Sequence, residues 1–193
     1  YAEIPSCSEG SVSGQLPPGD YWAYIAPNAL NGYPCIDDWR YQLALLADSS
    51  VTEPCAASGG CDEYISRVAF LDIDTATACD GYRYFDALQD VIPGQTFDIT
   101  VEIGNAYASD QTGLWINWDQ GFTFDADEHY YLGQGGGPFM HTISVPDSIP
   151  GGLIGMRIRL CYNETPQPCG TTQYGEVEDY ILQVQPTPVV ATD

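Results

Sequence analysis

From Cys61 onward the chain repeatedly alternates apolar and polar residues with a period of two. Side chains on a strand point to opposite faces in turn, so this pattern specifies strands with one buried face and excludes amphipathic helices. Phe97, Ile99, Val101 and Ile103 alternate with Asp98, Thr100 and Glu102 after a Pro93-Gly94 turn. Phe139, His141, Ile143 and Val145 share a face until Pro146 ends the run. Met156, Ile158 and Leu160 alternate with Arg157 and Arg159 after Pro150-Gly151-Gly152, and Leu114, Ile116 and Trp118 lie opposite Trp115, Asn117 and Asp119. Adding segments 64–71, 81–85 and 177–184 gives about seven strands at the spacing of a two-sheet fold. The expected fold is all-β: an antiparallel β-sandwich, Ig-like or jelly-roll in topology, over residues 61–185.

The flanks read differently. Residues 1–60 are irregular, with prolines at 5, 17, 18, 27, 34 and 54. A short strand at 21–25 and a short helix at 37–48, capped by Asp37, are the elements expected there. This stretch reads as an N-terminal extension containing cysteines. In the tail, residues 186–193, Pro186 and Pro188 favour an extended polyproline-like path.

Charge narrows the partners. The 193 residues carry 27 acids against 5 bases, a net charge of −22, and all five bases are arginine. Nucleic-acid binding through phosphate neutralisation needs a basic face, which this chain lacks. Docking on anionic membranes is disfavoured for the same reason, and no apolar run is long enough to span a bilayer. With 44% hydrophobic and 17% charged residues, the composition is that of a globular chain rather than a disordered acidic one.

The seven cysteines, at 7, 35, 55, 61, 79, 161 and 169, include no CxxC pair. Zinc ribbons and thioredoxin-like sites need that close spacing. Disulfides in an oxidising compartment are the expectation, and with a start at Tyr1 the chain reads as a processed, secreted or cell-surface protein. Cys161–Cys169, bracketing a Pro-containing loop, is the pairing expected first, with Cys55–Cys61 closing a Gly-rich loop. An odd count leaves one thiol free or available to another chain. Asn163 opens the sequon Asn163-Glu164-Thr165 within the 161–169 loop.

Several ordered motifs are more specific. Gly175-Glu176-Val177-Glu178-Asp179-Tyr180 is the signature of the GEVED domain, and upstream segments follow that family's order. Glu63-Tyr64-Ile65-Ser66-Arg67-Val68 resembles its opening strand, and Gly81-Tyr82 with Phe85-Asp86 its next segment. Pro93-Gly94-Gln95-Thr96-Phe97 resembles its turn into a strand, and Trp115-Ile116-Asn117-Trp118-Asp119-Gln120 its WIDWNQDG loop. Ile143-Ser144-Val145-Pro146 and Gly155-Met156-Arg157-Ile158-Arg159 resemble its last strands. The resemblance spans roughly residues 61–185. It implies a secreted or cell-surface β-sandwich module and no enzyme class.

The candidate sites follow. Glu176 and Glu178 point one way from a strand and Asp179 the other, which does not place two carboxylates across a substrate as glycoside hydrolysis requires. A half-buried aspartate needs a cationic or hydrogen-bonded partner, so Arg67, Arg157 or Arg159 is expected to pair with Glu176, Glu178 or Asp179 in a structural cluster. Asn117, Asp119, Asp125, Asp127 and Glu128 supply the hard oxygens calcium takes. The family's loop pattern D-x-N-x-D-G-D is broken here, because Asn117 stands at its first Asp and no Asp precedes Gly121. A solvated acidic loop competes with calcium on equal terms. His141 reads as a core histidine, and no serine, glycine loop or histidine makes a catalytic constellation. No cofactor is required by this reading.

Two functions follow. The first is a structural subunit of an extracellular, pilus-like filament, formed with copies of itself. In it an arm within residues 1–17, anchored by Tyr1, Ile4, Val12 and Leu16 and carrying Cys7, adds a strand to a neighbour. The second is a carbohydrate- or surface-binding adhesion module assisted by calcium, with aromatic side chains facing glycans.

Overall fold

The computed structural model describes residues 55–121 and 123–185. The expected strand at 21–25, the helix at 37–48, the arm residues Tyr1, Ile4, Cys7, Val12 and Leu16, and the tail all lie outside the described residues.

The described chain is a β-sandwich. Its strands are β1 (Ala57–Ser58), β2 (Tyr64–Phe70), β3 (Ile73–Ala76), β4 (Tyr82–Val91), β5 (Thr96–Gly104), β6 (Asp110–Ile116), β7 (His129–Gln134), β8 (Phe139–Ser144), β9 (Gly152–Tyr162), β10 (Gly170–Thr171) and β11 (Glu176–Val184). One sheet has the order β4-β11-β9-β6-β7 and the other β3-β2-β5-β8, while β1 and β10 form a small separate pair. A single 3-10 turn, Ala126–Glu128, precedes β7.

The alternation read from the sequence decides which side chains enter the gap between the sheets. Ile99 and Val101 of β5, Ile143 of β8, Leu114 and Ile116 of β6, Met156, Ile158 and Leu160 of β9, and Tyr180, Leu182 and Val184 of β11 form one continuous core. Tyr180 anchors it, stacked on Phe85 at 4.6 Å and edge-on to Phe70 at 5.3 Å. Apolar burial on this scale supplies most of the driving force for the fold, at about 25 cal/mol per Å².

Two features depart from a purely antiparallel sandwich. β4 runs parallel to β11, from Val177↔Tyr82 to Val184↔Val91 with a register shift between Tyr180 and Leu182, and β1 runs parallel to β10. The fold closes by laying its last strand between β9 and the early strand β4, so non-local pairing sets the direction. The second departure is that β9 is buried on both faces from Ile154 to Cys161. The segment after β9 folds back over the outer face and covers Arg157 and Arg159.

The cysteines pair differently from expectation. Among the described residues the disulfides are Cys55–Cys169 and Cys61–Cys79, and Cys161 is a buried free thiol. Cys161–Cys169 does not form, because the returning loop is aligned by Arg159, which takes the carbonyls of Gln167, Cys169 and Gly170 at 2.8 Å each. That alignment brings Cys169 to Cys55, whose carbonyl accepts from Arg157 Nη1 at 2.8 Å. Cys55–Cys61 does not form because β1 pairs with β10, with Ala57 opposite Gly170, which sets Cys55 beside Cys169. Cys61 instead clamps Cys79 across the β2–β3 hairpin.

Candidate functional site

The β11 acids are the densest set of functional side chains in the described chain. Strand alternation sends Glu176 and Glu178 into the gap between the sheets and Asp179 to the opposite face, beneath the returning loop.

Glu176 joins separate parts of the fold. Its Oε2 accepts from the backbone N of Ile65 on β2 at 2.9 Å, and its Oε1 accepts from the backbone N of Asp80 at 2.8 Å. Glu178 Oε1 accepts from Thr77 Oγ1 at 2.9 Å, and Oε2 accepts from Tyr180 OH at 2.6 Å. Burial pushes the Glu178 carboxyl up to about 7, against the lowering pull of its two hydroxyl donors. Glu176 is raised by burial as well, offset by its amide donors. Among the described residues, no arginine bonds either group. The hairpin β2–β3 and the link from β3 to β4 are therefore held to β11 by carboxylates acting as acceptors.

Asp179 is an ion-pair residue. Arg157 Nε donates to Oδ1 at 2.7 Å and Nη2 to Oδ2 at 2.6 Å, and Tyr82 OH donates to Oδ2 at 3.1 Å. The Arg157 side chain is 0% exposed and lies 5.3 Å from the centre of the Phe124 ring. The fork geometry matches the carboxylate edge, which is the arrangement in which a buried pair can offset its desolvation. Arg157 and Asp179 are thus brought together. Arg159 is instead a loop organiser bonded to carbonyls. Arg67 stands apart on the surface of β2, paired with Asp74 at 2.6 Å and Glu102 at 2.6 Å; exposed pairs of this kind contribute little.

The Asn117–Glu128 candidates are held by their own loop. Asn117 Nδ2 donates to the Gly121 carbonyl, Asp119 Oδ1 accepts from Gly121 N, and Asp125 Oδ1 accepts from Thr123 Oγ1. Glu128, buried and raised by that burial, accepts from the backbone N of Asp119 and of Asp125. Asp127 is exposed. No three such groups converge as metal ligands among the described residues. The structure makes Glu128 the organiser of the loop through backbone donors, a role the sequence does not distinguish from coordination.

The histidines sit on rims. His129 stacks on Trp115 at 4.5 Å, and burial lowers its pKa. His141 is half-buried against Tyr130, not in the core as expected, because it lies on β8, an outer strand of its sheet. Asn163 is exposed in the loop after β9.

The motif strand and the strands before it, back to β6, fall in a stretch that matches one family. The GEVED domain model matches residues 111–183. Over that stretch the chain is similar to the GEVED domain. In that domain the opening glycine has a physical role: Gly175 has φ +85°, and a Cβ there would lie 2.0 Å from the Leu160 carbonyl oxygen. Only glycine lets the chain turn tightly enough to start β11 beside β9. The first Glu, the second Glu and the Asp of GEVED then take the three different tasks described above. Residues 63–110, which complete both sheets, lie outside the match.

No curated protein matches the chain. Among solved structures, it is similar to a CARDB domain from Pyrococcus furiosus, at 14% identity over 50% of this chain and 85% of that one, with a TM-score of 0.30. It is also similar to a two-domain protein of unknown function from Bacteroides fragilis, at 11% identity over 64% of this chain and 46% of that one, with a TM-score of 0.27.

Two disulfides and the GEVED domain fit a non-cytoplasmic, oxidising location. Among the described residues, no helix is long and apolar enough to cross a membrane.

Proposed function

We propose that this chain is a secreted structural subunit that assembles with copies of itself into a filament by strand addition. The observation that carries the reading is β4. It is ten residues long, and among the described residues it pairs only with β11, so it forms an outer edge of the five-stranded sheet. Leu88 and Ile92 on and beside it are 49% and 53% exposed. The edge carries a register shift at residues 86–88 and the exposed charges of Arg83, Asp86 and Asp90, yet a long edge with exposed apolar side chains remains a template for another strand.

The donor in this reading is the arm within residues 1–17. Tyr1, Ile4, Val12 and Leu16 supply apolar anchors, each worth roughly 1.5–3 kcal/mol when fully buried. A donor that reaches forward to the next copy makes a head-to-tail contact, which propagates as a helical filament when rotation does not close it. The net charge of −22 opposes association, and salt screens that repulsion. The buried carboxylates of the GEVED strand serve as hydrogen-bond acceptors and one ion pair within the fold, so they support a structural role.

Negative-stain imaging of the full chain, beside a chain lacking residues 1–17, tests the proposal. Filaments from the first and monomers from the second are expected. Filaments from the truncated chain, or a full chain that stays monomeric at every concentration, would overturn it.

A further inference from the structure

At the end of the sandwich where β2 and β6 begin, two carboxylates and a hydroxyl are buried without hydrogen-bond partners. Glu63 is 1% exposed, and neither of its carboxylate oxygens has a partner. Asp110 is 0% exposed; Oδ2 accepts from Tyr107 N at 2.6 Å, while Oδ1 has no partner. Thr112 is 0% exposed, and its Oγ1 has no partner.

Placement brings these atoms to one region. Asp110 and Thr112 are two apart on β6, so both lie on the face that continues into the core as Leu114 and Ile116. Glu63 stands two residues before Ile65, a core residue of the facing sheet. Burial raises the Glu63 carboxyl first, and the charge of Asp110 raises it further. Asp110 is raised by burial and by Asp62. The amide of Glu63 lies near its own carboxylate without reaching hydrogen-bonding geometry.

Neutralisation does not come from the described protein. The chain has no lysine. Arg67, Arg83, Arg157 and Arg159 are each bonded elsewhere. The only protein donor in the set is the Thr112 hydroxyl, against three unpartnered carboxylate oxygens. Burying two such carboxylates unneutralised carries a large cost.

We propose that Glu63, Asp110 and Thr112 form a buried site for a calcium ion. The donors are all hard oxygens, which suit calcium and magnesium over transition metals that favour imidazole or thiolate. Two donors from β6 and one from the residue before β2 do not by themselves supply an octahedral set. Calcium tolerates irregular coordination completed by carbonyls and water, whereas magnesium does not. The site is separate from the Asn117–Glu128 loop. It ties the start of β2 to the start of β6, so its occupancy would couple the two sheets.

The experiment uses the full disulfide-bonded chain, stripped with EDTA and titrated with CaCl2 or MgCl2, with melting temperature and isothermal calorimetry as readouts. Calcium is expected to raise the melting temperature saturably, magnesium much less. Glu63→Gln and Asp110→Asn should abolish the calcium response while melting at or above the unsubstituted chain in EDTA, because each relieves unneutralised repulsion. Asp119→Asn should keep the response. If either carboxamide variant fails to fold, Thr112→Val, which removes one neutral ligand, should weaken calcium binding several-fold. A melting temperature indifferent to calcium, or a response retained in Glu63→Gln and Asp110→Asn, would overturn the site. So would Thr112→Val binding calcium as the unsubstituted chain does.

Discussion

Arg157 and Asp179 meet edge to edge beneath the loop that follows β9, with Nε 2.7 Å from Oδ1 and Nη2 2.6 Å from Oδ2. The remaining Arg157 nitrogen, Nη1, donates to the carbonyls of Cys55 and Pro168 at 2.8 Å each. One guanidinium therefore organises a strand pair, the covering loop and the entry of the chain into the sandwich.

Removing one member of this pair leaves the other charge buried. Asp179→Asn should cost about 3–5 kcal/mol, the scale of a broken buried pair. Replacing both by apolar residues of similar size should cost less than the sum of the single changes, since no charge is stranded. Urea unfolding of the two single variants and the double variant measures this; equal and additive losses would contradict it.

The pH dependence should run opposite to common acid denaturation. Glu178 has a folded pKa raised by burial from 4.5 to about 7. A group whose folded pKa lies above its unfolded value contributes stability that is full below the unfolded pKa and is lost as pH rises through the folded one. Stability should therefore fall between pH 4.5 and about 7, with one proton of the linkage from Glu178. Glu63, Asp110, Glu128 and Glu176 are shifted in the same direction. Melting temperature against pH in chelator is the measurement, and Glu178→Gln should flatten the slope.

The disulfides should differ in worth. Cys61–Cys79 closes a separation of 18 residues and Cys55–Cys169 one of 114. In the chain-entropy model these correspond to about 3 and about 5 kcal/mol. Peptide mapping without reduction should recover both pairs, with Cys161 alkylated only after unfolding, since it is buried and its pKa is raised by that burial.

Gly175→Ala should be far more costly than Gly135→Ala. Both have positive φ, +85° and +95°, but an added Cβ meets the Leu160 carbonyl oxygen at 2.0 Å in the first case and nothing within 4 Å in the second. The first must shift β11 against β9, whereas the second carries only backbone strain of about 1 kcal/mol. Thermal melts of the two variants compare them directly.

Much of this was legible in the sequence where one strand face is buried and the other wet. β5 and β8 show it: Phe97, Ile99 and Ile143 alternate with exposed residues as expected. β4 does not alternate cleanly, because it is an outer strand with much of both faces exposed. β7 is disguised by Gly133, whose place a Cβ could not share with Phe139. The alternation of Arg157 and Arg159 marks them as outward-facing, but their cover comes from residues 167–170, and sequence spacing does not reveal how a loop folds back. The same loop path defeats the cysteine pairing expected from proximity along the chain. Asp110 lies in no motif and Glu63 only opens a strand motif that assigns it no role, and an acid in an acidic chain reads as solvated until its burial is seen.

Strand donation between copies is the central claim, and a photo-crosslinking amino acid at position 88 of β4 tests it most directly. Equal amounts of light and heavy isotope-labelled chain are assembled, irradiated and digested for mass spectrometry. The account predicts cross-links from position 88 to residues 1–17 in mixed-isotope pairs. Cross-links confined to same-isotope pairs, or none to residues 1–17 in the assembled material, would contradict it.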